Sequence, residues 1–423
     1  MRSTLFFIPA EVAGVPVFGV GWLLLVWLVI GLAVLAVFVR RQGFSRETLS
    51  YIPFVVIVAA VIAFVLPNLV EPGAGGRLGV PIRGFGVMFM LATVAGVGLA
   101  AYRAWQLGID TEVIYSLAFT MFIAGLVGAR LFYVVPNWDE FQEPTLAQTA
   151  RSLLNFTKGG LVVYGSVIFG LPAGIWFLRR RGLAILPMAD LIAPSMALGQ
   201  AIGRLGCFLN GCCYGGVCLA APWAVTFPSQ PQESPPYQQH VQGGWHSGVW
   251  LEEEGGRVTI AYVAPRSPAD REGIRAGQVV ERINGSGFES LAEARQRLVN
   301  GAGTYEIETT GGAIYRWLAP RGPERSVPVH PAQIYAAIDA GLLALLLWVY
   351  FPFRRRDGEV FALLVTLHPI SRFILEIIRS DEPTRFGTPL TISQLIGLGI
   401  LALACVLWWY VERLPKSSVV SSQ

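Results

Sequence analysis

The chain has 423 residues, of which 53% are hydrophobic and only 14% charged, and its mean hydropathy is +0.53. Soluble domains carry roughly 25% charged residues, so the composition excludes a soluble, disordered or collagen-like chain and points to an integral membrane protein. A net charge of +4 is too small to imply nucleic acid or another polyanion as partner, and the five cysteines contain no CxxC pair.

In chain order, apolar runs of about 20 residues, the length that crosses a hydrocarbon core, lie near 19–39, 51–70, 84–104, 112–134, 160–178, 184–208, 334–352, 358–379 and 390–411. The first lacks a basic leader and a small-residue cleavage site, so it reads as a retained span rather than a signal peptide. The expected fold is a polytopic α-helical membrane protein of about nine transmembrane helices. Basic residues follow every second span: Arg40, Arg41 and Arg46, then Arg103, Arg179 to Arg181, Arg354 to Arg356, and Arg413 with Lys416. By the positive-inside rule these connections face the cytoplasm, which puts the N-terminus outside and the C-terminus inside.

The stretch 229–329 breaks the pattern, since it holds 22 of the 60 charged residues (10 basic, 12 acidic). It reads as a soluble insert on the outer face. Arg257 to Val263 alternates like a strand, Ser290 to Val299 has helical spacing with Leu291, Ala294 and Leu298 on one side, and Gly273 to Gly277 and Ile283-Asn284-Gly285 read as turns. The run 263–285, V-A-P-R-S-P-A-D-R-E-G-I-R-A-G-Q-V-V-E-R-I-N-G, resembles the core of a bacterial PDZ domain. The fold expected here is a small β-rich PDZ-like domain. That resemblance implies either an extended peptide or protein ligand added to a sheet edge, or a spacer or assembly surface.

Ionisable groups inside a span are functional candidates by default. The alternating topology places Arg130 and Tyr133 at the outer end of the fourth span, Tyr164 one turn into the fifth, Arg204 and Asn210 at the outer end of the sixth, and Arg372, Glu376 and Arg379 in the outer half of the eighth. Arg372 with Glu376 is i,i+4 and Glu376 with Arg379 is i,i+3, so the three share a helical face. Several arginines at one depth with a single carboxylate leave positive charge that a phosphate would satisfy, because guanidinium forks match phosphate oxygens. Glycines around Arg204 let backbone N–H groups approach an anion, although small residues also serve helix packing and arginines also snorkel to the interface. Cys207, Cys212 and Cys213 have no histidine or carboxylate pair at ligand spacing, which favours packing or a disulfide over a metal. His368-Pro369, mid-span, reads as a kink with a hydrogen-bonded histidine. No HExxH occurs, and Ser166 has no defensible histidine partner, so a protease fits poorly.

The segment Gly203-Arg204-Leu205-Gly206-Cys207-Phe208-Leu209-Asn210-Gly211-Cys212-Cys213-Tyr214-Gly215 resembles the G-R-x-G-N-F-x-N-G motif of bacterial prolipoprotein diacylglyceryl transferases, many of which read G-C-F-x-N-G-C-C-Y-G there. Pro81 to Met88, Gly128-Ala-Arg130-Leu-Phe-Tyr133, Gly159-Gly160-Leu-Val-Val-Tyr164-Gly165, Pro222 to Pro228, His330-Pro331-Ala-Gln333-Ile-Tyr335 and Arg372 to Arg379 resemble further blocks of that family in order. The resemblance covers about 80–415 apart from the insert. It implies transfer of the diacylglyceryl group of phosphatidylglycerol to the lipobox cysteine of prolipoproteins, recognised with their signal peptides, forming a thioether and releasing glycerol phosphate at the bacterial inner membrane. No cofactor and no metal are implied. Arg204, Arg379, Tyr164 and His330 would be catalytic, and Arg204, Arg130, Tyr133, Gly203, Gly206, Asn210, Gly215, Arg372 and Glu376 would bind substrate.

The implied organisation is two extra helices in 1–75, a first part of the transferase membrane domain in 76–228, the insert in 229–328, the remainder of the membrane domain in 329–415, and a cytoplasmic tail in 416–423. Tyr164 stands where many members have histidine, Phe85 where they have tyrosine, and Ala336 where they have glutamate. These departures leave the base open between Tyr164 and His330. They also leave a second reading, a lipid-binding scaffold or sensor that recruits envelope proteins through the insert.

Overall fold

The computed structural model describes residues 4–43, 45–73, 76–153, 160–229, 234–379 and 388–416. Gly159 and most of the expected tail, 417–423, lie outside the described residues. The helices of the N-terminal half are α1 (Trp22–Gln42), α2 (Arg46–Ala60), α3 (Gly84–Gln106), α4 (Thr111–Val134), α5 (Leu146–Leu153), α6 (Val163–Arg180) and α7 (Ile185–Asn210). The insert carries α8 (Pro235–Gln242), α9 (Pro268–Arg271) and α10 (Leu291–Val299), and α11 (Ala332–Tyr350), α12 (Glu359–Ile378) and α13 (Ile392–Val411) follow it.

Eight segments among the described residues are long and apolar enough to cross a membrane: Trp22–Arg41, Tyr51–Leu69, Gly84–Gln106, Thr111–Val134, Ile185–Asn210, Ala332–Phe353, Glu359–Ile378 and Ile392–Val411. The fifth expected span, 160–178, coincides with the helix α6, which starts at Val163 and ends on Arg179-Arg180. Two arginines in 18 residues pull its hydropathy below that of the other eight, so length and composition identify eight spans, not nine.

The chain divides into two compact units, one of residues 2–87 with 126–165 and the other of residues 88–125 with 166–423. In the first, β1 (Thr4–Pro9) pairs antiparallel with β5 (Leu78–Arg83), which also pairs with β4 (Glu71–Pro72), while β2 (Glu11–Val12) and β3 (Val15–Pro16) form a small hairpin. The pattern of apolar runs does not anticipate this sheet, because its partner strands are short and some 70 residues apart. α1 and α2 pack closely: Trp27 Nε1 donates to the Val55 carbonyl at 3.0 Å, and a Cβ on Gly31 would lie 2.9 Å from Val55 Cγ1.

In the second unit, α7 packs along α11 and α12. Ala193, Ala197, Ala336, Ala340 and Ala344 are all buried. Small side chains let helix backbones approach where lipid supplies no hydrophobic driving force between helices. One polar anchor crosses this apolar core. Asp190 of α7 is fully buried and accepts the N–H groups of Gly358 (2.7 Å) and Phe361 (2.9 Å), two of the donors that the start of α12 leaves without helical partners, with Arg354 Nε at 3.6 Å.

The insert holds a β-hairpin of β6 (Val249–Glu254) and β7 (Arg257–Val263), and a sheet ordered β11-β10-β8-β9 from β8 (Val280–Ile283), β9 (Ser286–Gly287), β10 (Thr304–Thr309) and β11 (Ile314–Leu318). Leu251, Ile260, Ile274, Ile283, Leu298 and Ile307 form its dry core. The expected strand coincides with β7 and the expected helix with α10, whose Ser290 side chain accepts the Glu293 N–H as N-cap. Asn284 and Gly285 both have positive φ (52° and 75°), the geometry of a tight two-residue hairpin turn. Bridges Pro228↔Arg325 and Val225↔Val329 clamp the two ends of the insert together, and Trp245 Nε1 donates to the Arg325 carbonyl at 2.8 Å.

Replacing Asp190 by alanine strands two helix donors inside the core and leaves Arg354 with the more distant Asp357 as its carboxylate partner. Loss of about 3 kcal/mol of unfolding free energy is expected, measured by denaturant titration in detergent; a loss below about 1 kcal/mol would mean the anchor is dispensable.

Candidate active site

The last turns of α7 carry Gly203, Arg204, Gly206 and Asn210, and the helix stops because Gly211 adopts a left-handed conformation (φ 78°) whose N–H bonds the Cys207 carbonyl at 2.9 Å. The turn that follows is stitched to two segments far away in sequence. Gly215 N–H donates to the His330 carbonyl (2.9 Å), His330 N–H to Gly216 (3.0 Å), and Gly216 N–H to Ile378 (2.8 Å), so Gly215 and Arg379 face each other as an antiparallel bridge. Gln333, buried at the start of α11, adds a bond from Nε2 to the Cys212 carbonyl at 2.7 Å. Three helix ends therefore converge on one turn.

Glu376 of α12 is 2% exposed and pairs with Arg372 at 2.7 Å and Arg379 at 3.2 Å. The i,i+4 and i,i+3 spacing has closed into a two-arginine, one-carboxylate cluster. Arg204 has no hydrogen-bond or ion-pair partner among the described residues, and its charge acts with that of Arg379 on Cys213. Hydrogen bonds from Cys207 and Cys212, followed by the charges of Arg379 and Arg204, hold the Cys213 thiol below its ordinary value.

A second carboxylate corrects the reading of a single one at this depth. Asp339 of α11 accepts the Ser371 hydroxyl at 2.7 Å, and Asp339, Arg204 and Arg372 all act electrostatically on His368. The rule that an ionisable residue inside a span is a functional candidate flags Asp339 from sequence alone. His368 Nδ1 is buried without a hydrogen-bond partner among the described residues, so the hydrogen-bonded histidine expected beside Pro369 is not formed there through that atom.

His330 is half-buried, with Nδ1 3.3 Å from the Tyr335 hydroxyl, which also accepts from Trp223 Nε1 at 2.8 Å. Gln333 and Tyr335 thus do work near the turn that their motif positions did not disclose.

Arg130, Tyr133 and Tyr164 belong to the other compact unit and are described within it. Arg130 is 7% exposed and donates to three backbone carbonyls, Leu153 (Nε, 2.9 Å), Ser152 (Nη2, 3.2 Å) and Gly160 (Nη1, 3.2 Å), while its guanidinium lies over Phe141 and Tyr133 at 5.0 and 6.0 Å. Gly160 has φ 86°, and a Cβ there would meet Tyr133 Cδ1 at 2.6 Å and Arg130 Nη1 at 2.7 Å. Tyr164 is 44% exposed near the start of α6.

The Prolipoprotein diacylglyceryl transferase family model matches residues 76–410. The chain belongs to this family. It is 33% identical to the phosphatidylglycerol--prolipoprotein diacylglyceryl transferase of Rhodopirellula baltica over 96% of its own length and 88% of that protein. The transferases of Trichormus variabilis (32% identical, 84% of this chain and 94% of that protein) and Gloeobacter violaceus (26%, 79% and 91%) are also similar. In this member of the family the three-way backbone stitch joins the glycine-rich turn, the His330 block and the arginine-bearing end of α12.

Two glycines of the transferase motif separate by packing. A Cβ at Gly215 would meet His330 Cβ at 2.6 Å and two backbone oxygens at 3.0 and 3.1 Å, whereas a Cβ at Gly203 meets nothing within 4 Å. Gly215→Ala is expected to cost about 1–3 kcal/mol, and Gly203→Ala to keep or raise stability by up to about 1 kcal/mol. Thermal melts of both variants in detergent check this, and equal melting temperatures would contradict it.

Proposed function

We infer that this chain transfers the diacylglyceryl group of phosphatidylglycerol to the lipobox cysteine thiol of prolipoproteins, forming a thioether and releasing glycerol phosphate. The observation that carries the reading is the gathering of Arg204, Arg372 and Arg379 about the glycine-rich turn of a family member. The substrate sulfur bonds to the glycerol carbon as that carbon's bond to the phosphate oxygen breaks, and the electron pair leaves with the phosphate. Negative charge grows on the leaving group, so fixed guanidinium donors lower the barrier more than they stabilise bound lipid. Arg204 meets the phosphate with its donors uncommitted among the described residues. Arg379 assists from the facing strand, and Glu376 orients Arg372 and Arg379.

Gly203, Gly206, Asn210 and Gly215 shape the headgroup cradle, with open space beside Gly203. Arg130 and Tyr133 serve substrate binding, with Arg130 held by the carbonyls of Ser152, Leu153 and Gly160. The thiol proton passes to Tyr164 or His330. His330 is the base favoured by geometry, because its block is hydrogen-bonded to the glycine-rich turn and its Nδ1 lies 3.3 Å from the Tyr335 hydroxyl.

The chain sits in the bacterial inner membrane with α6 as a ninth span, the N-terminus and insert outside and the C-terminus cytoplasmic. Arg103 over Trp348 (3.5 Å), Arg354 over Phe351 (3.9 Å) and Arg413 over Trp409 (3.6 Å) support this, since aromatic rings mark a membrane interface and arginines beside them mark the cytoplasmic one. Residues 1–75 add two helices ahead of the transferase core, which runs through 76–228 and 329–415 around the insert at 229–328.

The insert is a PDZ-like module that takes an extended peptide on the free edge of β6. A cleft of about 430 Å³ runs there between α8, β6 and α10, lined by His240, Trp250, Ala292, Arg295 and Gln296. Arg295 now covers that edge: it stacks on Trp250 at 4.3 Å and donates from Nη2 and Nε to the Leu251 carbonyl at 2.7 and 3.2 Å. Burial, then the charge of Arg295, pushes His240 down to about 4, so its neutral Nδ1 accepts the Val327 N–H at 3.2 Å. The Tyr214 hydroxyl bonds Gln239 of α8, which links this cleft to the glycine-rich turn.

Arg204→Ala is expected to abolish thioether formation in vesicles containing phosphatidylglycerol and a lipobox peptide, read by the mass added to the peptide; turnover within about twofold of wild type, less than 0.5 kcal/mol of barrier, would remove Arg204 from the mechanism. Arg295→Ala exposes the Leu251 carbonyl and is expected to tighten binding of extended peptides, measured by fluorescence anisotropy. Affinity equal to wild type would rule out the β6 edge.

A further inference from the structure

Cys207, Cys212 and Cys213 are free thiols whose sulfurs all lie within 4.8 Å of one another, each half-buried. Sequence spacing alone gives no reason for three thiols to meet. Cys207 sits on the last turn of α7, Gly211 reverses the chain, and Cys212 Sγ then comes to 3.7 Å from the Cys207 carbonyl oxygen. Cys213 itself has φ 58°, a left-handed conformation that a non-glycine residue adopts rarely. That conformation returns the third thiol to the first two. Gln333, by holding the Cys212 carbonyl, fixes the turn from outside.

A disulfide joins only two of the three sulfurs, requires a separation of about 2.05 Å and leaves an odd thiol in the site. A thiophilic cation uses all three. With metal–sulfur bonds of about 2.3 Å, tetrahedral ligands lie roughly 3.8 Å apart, inside the 4.8 Å within which the three sulfurs already lie. The donor set is sulfur only, since no histidine or carboxylate joins the group among the described residues. Soft thiolate ligands select Zn²⁺ or Cu⁺ over Mg²⁺, Ca²⁺ or Mn²⁺. The positive charges of Arg379 and Arg204 act on Cys213 and favour the thiolate form that ligates a cation.

We propose that Cys207, Cys212 and Cys213 form a three-thiolate site for a closed-shell thiophilic cation, Zn²⁺ or Cu⁺, which clips the end of α7 to the turn that carries Gly215. The ion holds this corner in shape with its fourth position open, and it takes no part in the transfer step. The site stands independently of the transferase reading, because its test reads metal and thiols rather than turnover.

The full chain, purified in detergent with a phosphine reductant, is loaded with Zn²⁺ or with Cd²⁺ as a spectroscopic probe, and desalted. One ion per chain is expected by elemental mass spectrometry, with a thiolate-to-Cd²⁺ charge-transfer band in the ultraviolet. Cys207→Ser and Cys213→Ser are expected to lose both, while Cys405→Ser keeps them. Alkylation of wild-type protein followed by peptide mass mapping makes the result independent of whether the variants fold. Bound Zn²⁺ is expected to protect Cys207, Cys212 and Cys213 relative to the same protein without Zn²⁺. Absence of a stoichiometric ion, equal alkylation of the three thiols with and without Zn²⁺, or retention of the ion in both serine variants would each overturn the site.

Discussion

Charge buried in an apolar chain has to be answered by opposite charge or by hydrogen bonds, and the architecture of the second unit follows from that constraint. Glu376 lies inside the protein and holds Arg372 and Arg379 on one face of α12. Asp190 answers the same demand at the other end of α12, where it takes up helix N–H groups and faces Arg354. α12 is therefore pinned at both ends by carboxylates, with small-residue packing against α7 and α11 between them. Arg204 stands outside these pairings among the described residues.

The stitch between Gly215, Gly216, His330 and Ile378 turns this electrostatic arrangement into a site. Backbone bonds have fixed lengths and directions, so three segments joined by them hold their side chains with little freedom. Arg204 and Arg379 reach one thiol because α7 ends at Gly211 and the following turn is tied to the end of α12. The insert leaves the membrane body between Pro228 and Arg325 and returns beside the same turn, so α8 touches Tyr214 while Val225 and Val329 close its neck. A module placed there is coupled through covalent neighbours to the glycine-rich turn.

Much of this was legible in the residues. The apolar runs located the long helices because a hydrocarbon core demands about 20 apolar residues in a row, and α6, which composition leaves out, fits two arginines into only 18 residues. β7, α10 and the Asn284-Gly285 turn were readable because they depend on local periodicity and local φ preference. The sheet of β1, β4 and β5 was not readable, since short strands do not name distant partners. Asp339 went unnoticed among its apolar neighbours, although its charge alone marks it.

Order of motifs along the chain identifies the family, and charge and hydropathy identify a membrane protein with a soluble insert, because these properties belong to residues one at a time or to neighbours on one helix. The joint action of Arg204 and Arg379 on Cys213, the capture of Ser371 by Asp339, the engagement of Arg295 on the edge of β6 and the convergence of three thiols belong to groups that are distant in sequence or turned by a single left-handed residue. Only the folded backbone decides those, since it sets the distances on which hydrogen bonds, ion pairs and metal ligation depend.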